Sequence, residues 1–221
     1  MLRPALALSF GLTALLAGCV PYTVGTTAQP APQGEWTSAS MIYAIPNGIN
    51  FQDSEGGDTF SEPGASFVGT DAEVRLGLDE RSDIGVRTPG GVGVVLNYKR
   101  RVAGGATGPA LALMGGGGFL NLANHAHLEL TAIVSGVEAA PVTPYGGLRA
   151  MQAIALSDAV PSDDPTLGGF AGVRIGEGAL GLSIEVGLFY DPSATGIRQN
   201  DWIVVPSLTL HGRGFGRLFP F

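Results

Sequence analysis

The sequence predicts an all-β fold: an antiparallel up-and-down β-barrel of about ten strands (roughly eight to twelve), with no large helix after an N-terminal signal. Three observations lead there. Charged residues make up 14% of the chain, against about 25% in ordinary soluble domains. Glycine accounts for 35 of 221 residues, more than twice the usual ~7%. Short segments in which apolar and polar side chains alternate recur along the chain, divided by turn residues. Mean hydropathy is +0.26. Yet beyond residue 19 no apolar run approaches the ~20 residues of a membrane helix.

Residues 1–18 read as an export signal. Arg3 is their only charge, and Ala5 to Ala17 is an almost purely apolar stretch of thirteen residues. That is too short to span a bilayer (~20 residues) but suits the apolar core of a secretory signal. Residues 19–35, rich in Thr, Pro, Gln and Gly and without periodicity, are expected to form a flexible tether. Residues 36–221 are expected to form one barrel domain.

The strands follow in order. About Trp36 to Ala44 starts the series. Glu73–Asp79 and Ser82–Arg87 form a hairpin. Its Val74, Leu76, Leu78, Ile84 and Val86 share one face, and Glu73, Arg75, Asp83 and Arg87 share the other. Val92–Arg101 sets Val94, Leu96 and Tyr98 against Asn97 and Lys99. Gly108–Gly118 is rich in Ala, Leu and Gly. In His127–Val134, Leu128, Leu130, Ala132 and Val134 oppose His127, Glu129 and Thr131. Thr143–Ala153 and Leu167–Gly176 follow. Ala179–Tyr190 sets Leu182, Ile184, Val186 and Leu188 against Ser183 and Glu185. Trp202–His211 closes the set. Several of these reach the ~9–11 residues that a tilted membrane strand needs.

The connections show an asymmetry. Those near 45–71, 119–126, 154–166 and 191–201 lie on one side and are long, with 88–91 the short exception. Those near 79–81, 102–107, 135–142 and 177–178 lie on the other side and are short. Outer loops are long and periplasmic turns short in membrane barrels. Alternation alone fits a soluble sandwich or a membrane barrel. The low charge favours a barrel with its apolar face outward. Its interior would then hold a polar network of Glu73, Arg75, Asp83, Arg87, Lys99, His127, Glu129, Arg149, Arg174 and Glu185, where each charge needs a partner. With so few strands the interior is filled by side chains, so no wide pore is expected. Tyr43, Tyr98, Phe119, Tyr145, Tyr190 and Trp202, near strand ends, are candidates for interfacial girdles.

The signal ends in Leu16-Ala17-Gly18-Cys19, which resembles the lipobox of bacterial lipoproteins. The resemblance implies that the Cys19 thiol takes a diacylglyceryl group and that cleavage before Cys19 leaves an acylated, palmitate-type N-terminus. Cys19 is the only cysteine, so no disulfide can form within the chain. Val20, where an Asp would retain an enteric lipoprotein at the inner membrane, implies delivery to the outer membrane. The C-terminal Phe221, alternating with Phe219, Arg217 and Phe215, resembles the assembly signal of outer-membrane barrels. Pro220, Pro206 and the Gly/Arg-rich residues 212–217 depart from that pattern. As a whole the chain resembles small bacterial outer-membrane β-barrel proteins carrying a lipoprotein signal. That resemblance implies an N-terminal lipid on the periplasmic side and a barrel exterior in contact with membrane lipid. It also implies recognition by the outer-membrane assembly machinery, and a monomer.

Removing residues 1–18 takes away Arg3 and no acid. Eleven bases then face 19 acids and the formal charge moves from −7 to −8, which disfavours nucleic acid as a partner. A Ser/His/Glu set can be drawn from His127, Glu129, Ser183, Ser207 and His211, as in outer-membrane lipid A deacylases, which resemble this chain in size. Their local His/Ser motif is absent here. Asp163-Asp164 resembles the acidic pairs of outer-membrane proteases but sits in a Pro/Ser/Asp turn. His125 and His127 lack further ligands at metal spacing. Gly115–Gly118 has no following helix to bind an anion. No catalytic, cofactor or metal site is expected. The leading reading is a non-enzymatic barrel lipoprotein with a structural or surface-interaction role. A lipid-tethered soluble lipocalin-like or β-sandwich binding protein and a lipid A deacylase-like barrel enzyme remain as alternatives.

Overall fold

A computed structural model describes residues 21–45, 67–105, 108–137, 140–156, 164–176, 180–192 and 202–212. The lipobox with Cys19, Asp163 and Phe221 lie outside the described residues. Among the described residues there are ten strands and no α-helix. They are β1 (Trp36–Ile45), β2 (Phe67–Asp79), β3 (Ser82–Pro89), β4 (Val94–Gly104), β5 (Ala110–Leu120), β6 (His125–Ser135), β7 (Val142–Ala155), β8 (Thr166–Ile175), β9 (Gly181–Tyr190) and β10 (Trp202–Gly212). Each pairs antiparallel with its neighbour in sequence, and β1 pairs with β10, so the sheet closes. Closure rules out the open β-sandwich alternative. It also removes the exposed strand edges that a two-sheet fold must protect.

The ten strand positions match the alternation in the sequence, with shifts at the ends. β2 begins at Phe67 rather than near Glu73, and the β5–β6 connection contracts to residues 121–124. Two bulges, at Gly77/Asp79 and Arg101/Ala103, interrupt the ladders near the short turns. Long connections (46–66, 156–165, 191–201) gather at one end with the tight turns 90–93 and 121–124. The other end carries only short connections, from residues 80–81 to 136–141. These are called the long-loop and short-turn ends below.

The barrel is inverted relative to a soluble protein. Leu128, Leu130, Leu148, Val186, Leu188 and Leu210 all face outward, and Leu148 is 69% exposed. Away from the strand ends, Arg100 is the one charged side chain on the outward face among the described residues. The inward face holds Asp71, Glu73, Arg75, Asp83, Arg87, Lys99, Glu129, Arg149 and Glu185, all buried. Tyr43 and Tyr145 also turn inward, at 1% and 5% exposure. They are therefore not girdle residues: Tyr43 has the parity of buried Met41, and Tyr145 that of buried Arg149. Tyr98, Phe119, Tyr190 and Trp202 do face outward. The last two pack with their rings tilted by 59° and centroids 5.4 Å apart.

The expected flexible tether is not what residues 21–34 form. Tyr22, Val24, Ala28 and Ala31 are buried, as are Thr23, Thr27 and Gln29. The segment runs through the lumen. Tyr22 sits at the long-loop end, its hydroxyl donating to Asp191 at 2.6 Å and its ring against Phe189. Gln33 bridges to Gly77, and Gly34 N–H donates to the Gly77 carbonyl at the short-turn end. Gly34, at φ +75°, lets the chain reverse there into β1 without the strain a side chain would suffer. Ordering an uncharged segment costs entropy, which the lumen offsets with the contacts described next.

Candidate functional site

The lumen and the segment that fills it form the one elaborated polar site among the described residues. Alternation places its wall. Every second residue of β2, β3, β4, β6, β7 and β9 points inward, and these positions carry the charges. On the β2–β4 wall Arg75 bridges Glu73 and Asp83, each at 2.6 Å, and donates to Asn97 Oδ1 at 2.7 Å. Arg87 pairs with Asp71 at 2.9 Å and reaches the Thr23 hydroxyl. Across the lumen Arg149 and His127 converge on Glu129.

The remaining capacity of these groups is turned on the backbone of the inner segment. Glu185 accepts the N–H groups of Val24 (2.8 Å) and Gly25 (3.0 Å), together with the Tyr145 hydroxyl (3.0 Å). Asp83 accepts Ala31 N–H at 2.7 Å, and Ser135 Oγ accepts Ala28 N–H. Lys99 donates to the Thr26 hydroxyl and to the Thr27 and Gln29 carbonyls, and lies 3.4 Å from Asp83. Arg149 donates to the Thr23 carbonyl at 2.7 Å, and Arg101 to the Gln29 side chain. An extended chain inside a barrel has no ladder partner for its backbone. Unpaired, each buried N–H or C=O would cost roughly 1–3 kcal/mol. Here the wall supplies ionised partners, whose hydrogen bonds are the stronger kind.

Apolar contacts divide by level. At the long-loop end Tyr22 packs with Tyr43, Ile45, Met151, Phe189, Ile203 and Val205. Lower down, Val24 and Ala28 pack against Ala112, Met114, Ile133 and Phe170. Glycine makes the room. A Cβ on Gly77 would lie 2.0 Å from the Pro32 carbonyl oxygen, so the segment's exit depends on that position lacking a side chain. A cavity of about 310 Å³ remains beside the lower half of the segment, bordered by Thr26, Pro32, Ser38, Lys99, Arg174 and His211.

All ten residues of the expected network point into the lumen, Arg174 being half-buried and the rest buried. The sequence reading missed Asp71, Arg101 and the lumen place of Tyr145, and the segment itself; it put Asn97 on the polar face beside Lys99 without counting it in the network. The hydrolytic set is not assembled. Ser183 Oγ lies 2.8 Å from His211 Nε2, between β9 and β10 near the short-turn end. Glu129 is engaged by His127 and Arg149 on β6 and β7. Ser207 contacts the Glu185 carbonyl. Asp164 is exposed, and no metal-binding cluster occurs among the described residues.

No protein-family model matches the chain, and no curated protein does. Among solved structures it is similar to Neisserial surface protein A, with 14% identity, a TM-score of 0.38, and 82% of this chain and 97% of that one covered. It is also similar to the outer membrane protein OprG from Pseudomonas aeruginosa, with 9% identity, a TM-score of 0.38, and 85% and 99% covered. A third is the N-terminal β-barrel domain of OprF from the same organism, with 9% identity, a TM-score of 0.33, and 81% and 98% covered. At such scores the likeness assigns no role, and the reading below rests on this chain's own surfaces.

Proposed function

We propose that this chain is a bacterial outer-membrane β-barrel lipoprotein with a structural or surface-interaction role and no catalytic one, anchored additionally through Cys19. The observation that carries the proposal is the inverted barrel: an almost uncharged apolar exterior around a charged, hydrogen-bonded interior. A soluble lipocalin-like barrel needs the reverse, because water tolerates contiguous exposed apolar patches of only a few hundred Å². Hydrocarbon makes lipid-facing charge costly in proportion to depth but accepts a closed sheet with every backbone group paired. The filled lumen supports a structural role over a conducting one. The separation of Ser183–His211 from Glu129 argues against hydrolysis of lipid. Insertion by the outer-membrane assembly machinery as a monomer belongs to the same proposal.

Two measurements test it. The purified protein in mild detergent should migrate as a compact form on unheated gels and shift on boiling. Cells fed labelled palmitate should label the wild-type chain and not Cys19→Ala. A Cys19→Ala protein with residues 20–221 intact that is soluble and monomeric without detergent would overturn the membrane assignment. Wild-type chain of unmodified N-terminal mass would overturn the anchor.

A further inference from the structure

We infer that the mature N-terminus leaves the barrel at the long-loop end, so that an acyl group on Cys19 lies in the leaflet on that side, opposite the short-turn end. The statement about the acyl group rests on the lipoprotein reading above. The statement about the N-terminus does not.

The path of the inner segment carries the argument. From Tyr22, bonded to Asp191 beyond the top of β9, it descends past Glu185 at mid-height. It then passes Ser135 and Asp83 and ends against Gly77. Cys19 precedes Tyr22 by three residues, and three trans peptide steps span at most about 11 Å. An apolar barrel band is ~25 Å tall. A Cys19 tied to Tyr22 therefore cannot reach the short-turn end. Bringing it there would require the segment to leave the lumen. Glu185 would lose two N–H donors, Lys99 two carbonyls and Arg149 one.

This reverses the expectation of a periplasmic anchor drawn from the lipobox. Long connections face outward in outer-membrane barrels. With that orientation the chain threads its own pore, and its lipidated end emerges at the cell surface.

Single reporter cysteines test the path with a membrane-impermeant maleimide, on intact cells and after outer-membrane permeabilisation. Val20→Cys reports the N-terminus, Ala123→Cys the long-loop end and Glu80→Cys the short-turn end. Val20→Cys is expected to label under the same condition as Ala123→Cys, whichever end faces out. Labelling with Glu80→Cys instead overturns the inference. An epitope inserted after Val20 and probed by antibody gives a second readout, should substitution next to Cys19 impair processing. Exposure of that tag on the Glu80 side alone likewise overturns it. Acylation is read separately from the N-terminal peptide mass. Should that mass show Cys19 unacylated, its free thiol is removed by Cys19→Ser in all three reporters, so that failure of the anchor leaves the threading test intact, and failure of threading leaves the anchor intact.

Discussion

Replacing Glu185 by alanine should free the inner segment without opening the barrel. Glu185 is buried on β9 and is the acceptor for two consecutive backbone N–H groups, Val24 and Gly25. Its β9 backbone pairs with β8 and β10 through ladders that the side chain does not touch. In E185A the two N–H groups stay buried without an acceptor, at roughly 1–3 kcal/mol each. The segment then loses about 2–6 kcal/mol of its hold. At 1.4 kcal/mol per factor of ten, its open fraction rises roughly thirtyfold to twenty-thousandfold. Hydrogen exchange of the detergent-solubilised protein reads this directly. Peptides covering residues 22–26 should exchange faster by that range, and β9 and β10 peptides should not change. E185Q keeps one acceptor oxygen but turns an amide N–H₂ on the other donor, so it should fall between wild type and E185A. Unchanged exchange at Val24 and Gly25 in E185A would refute the reasoning.

Three further substitutions, two of them paired with a control, probe other levels. Lys99→Met removes the cation that holds the Thr27 and Gln29 carbonyls, leaving Asp83 the Arg75 guanidinium and the Ala31 N–H. It should cost about 3 kcal/mol and raise exchange in residues 26–31 while sparing Tyr22. Gly77→Ala places a methyl group 2.0 Å from the Pro32 oxygen, whereas Gly115→Ala meets nothing closer than 3.9 Å. The heated-gel transition should therefore drop for G77A and hold for G115A. Leu148→Arg puts a charge at mid-height on the outward face and should cost ~2–4 kcal/mol of folding into vesicles. Leu122→Arg, in the 121–124 turn, should stay within about 0.5 kcal/mol. Equal costs in a urea titration would contradict a lipid-facing exterior.

The barrel was legible because each strand faces two unlike environments. Val74, Leu76 and Leu78 meet one while Glu73 and Arg75 meet the other, and this difference is written as a period of two. Parity also carried information that proximity to strand ends obscured. Tyr43 and Tyr145 share the register of inward residues, which is why they belong to the lumen and not to a girdle. Asp71 was lost because β2 extends six residues before Glu73. Arg101 keeps the inward parity of Asn97 and Lys99, and its place at the last position of the expected strand hid it, since a strand's end residue reads as turn as readily as wall.

The inner segment was not legible for a physical reason. A chain enclosed on all sides has no contrast between faces and so writes no period. What it does write is composition: residues 20–34 contain no charged side chain, whereas a solvated tether has no reason to avoid charge. In a lumen whose ion pairs are already matched, one more charge would be a buried charge without a partner. The same logic accounts for the glycine. About eight strands enclose just enough room for side chains. Ten strands leave more, and inward glycines such as Gly77 make room there for the backbone of residues 21–34. The linker-like composition of residues 20–34 and the glycines of the barrel wall are two halves of one arrangement, in which the chain closes its own pore.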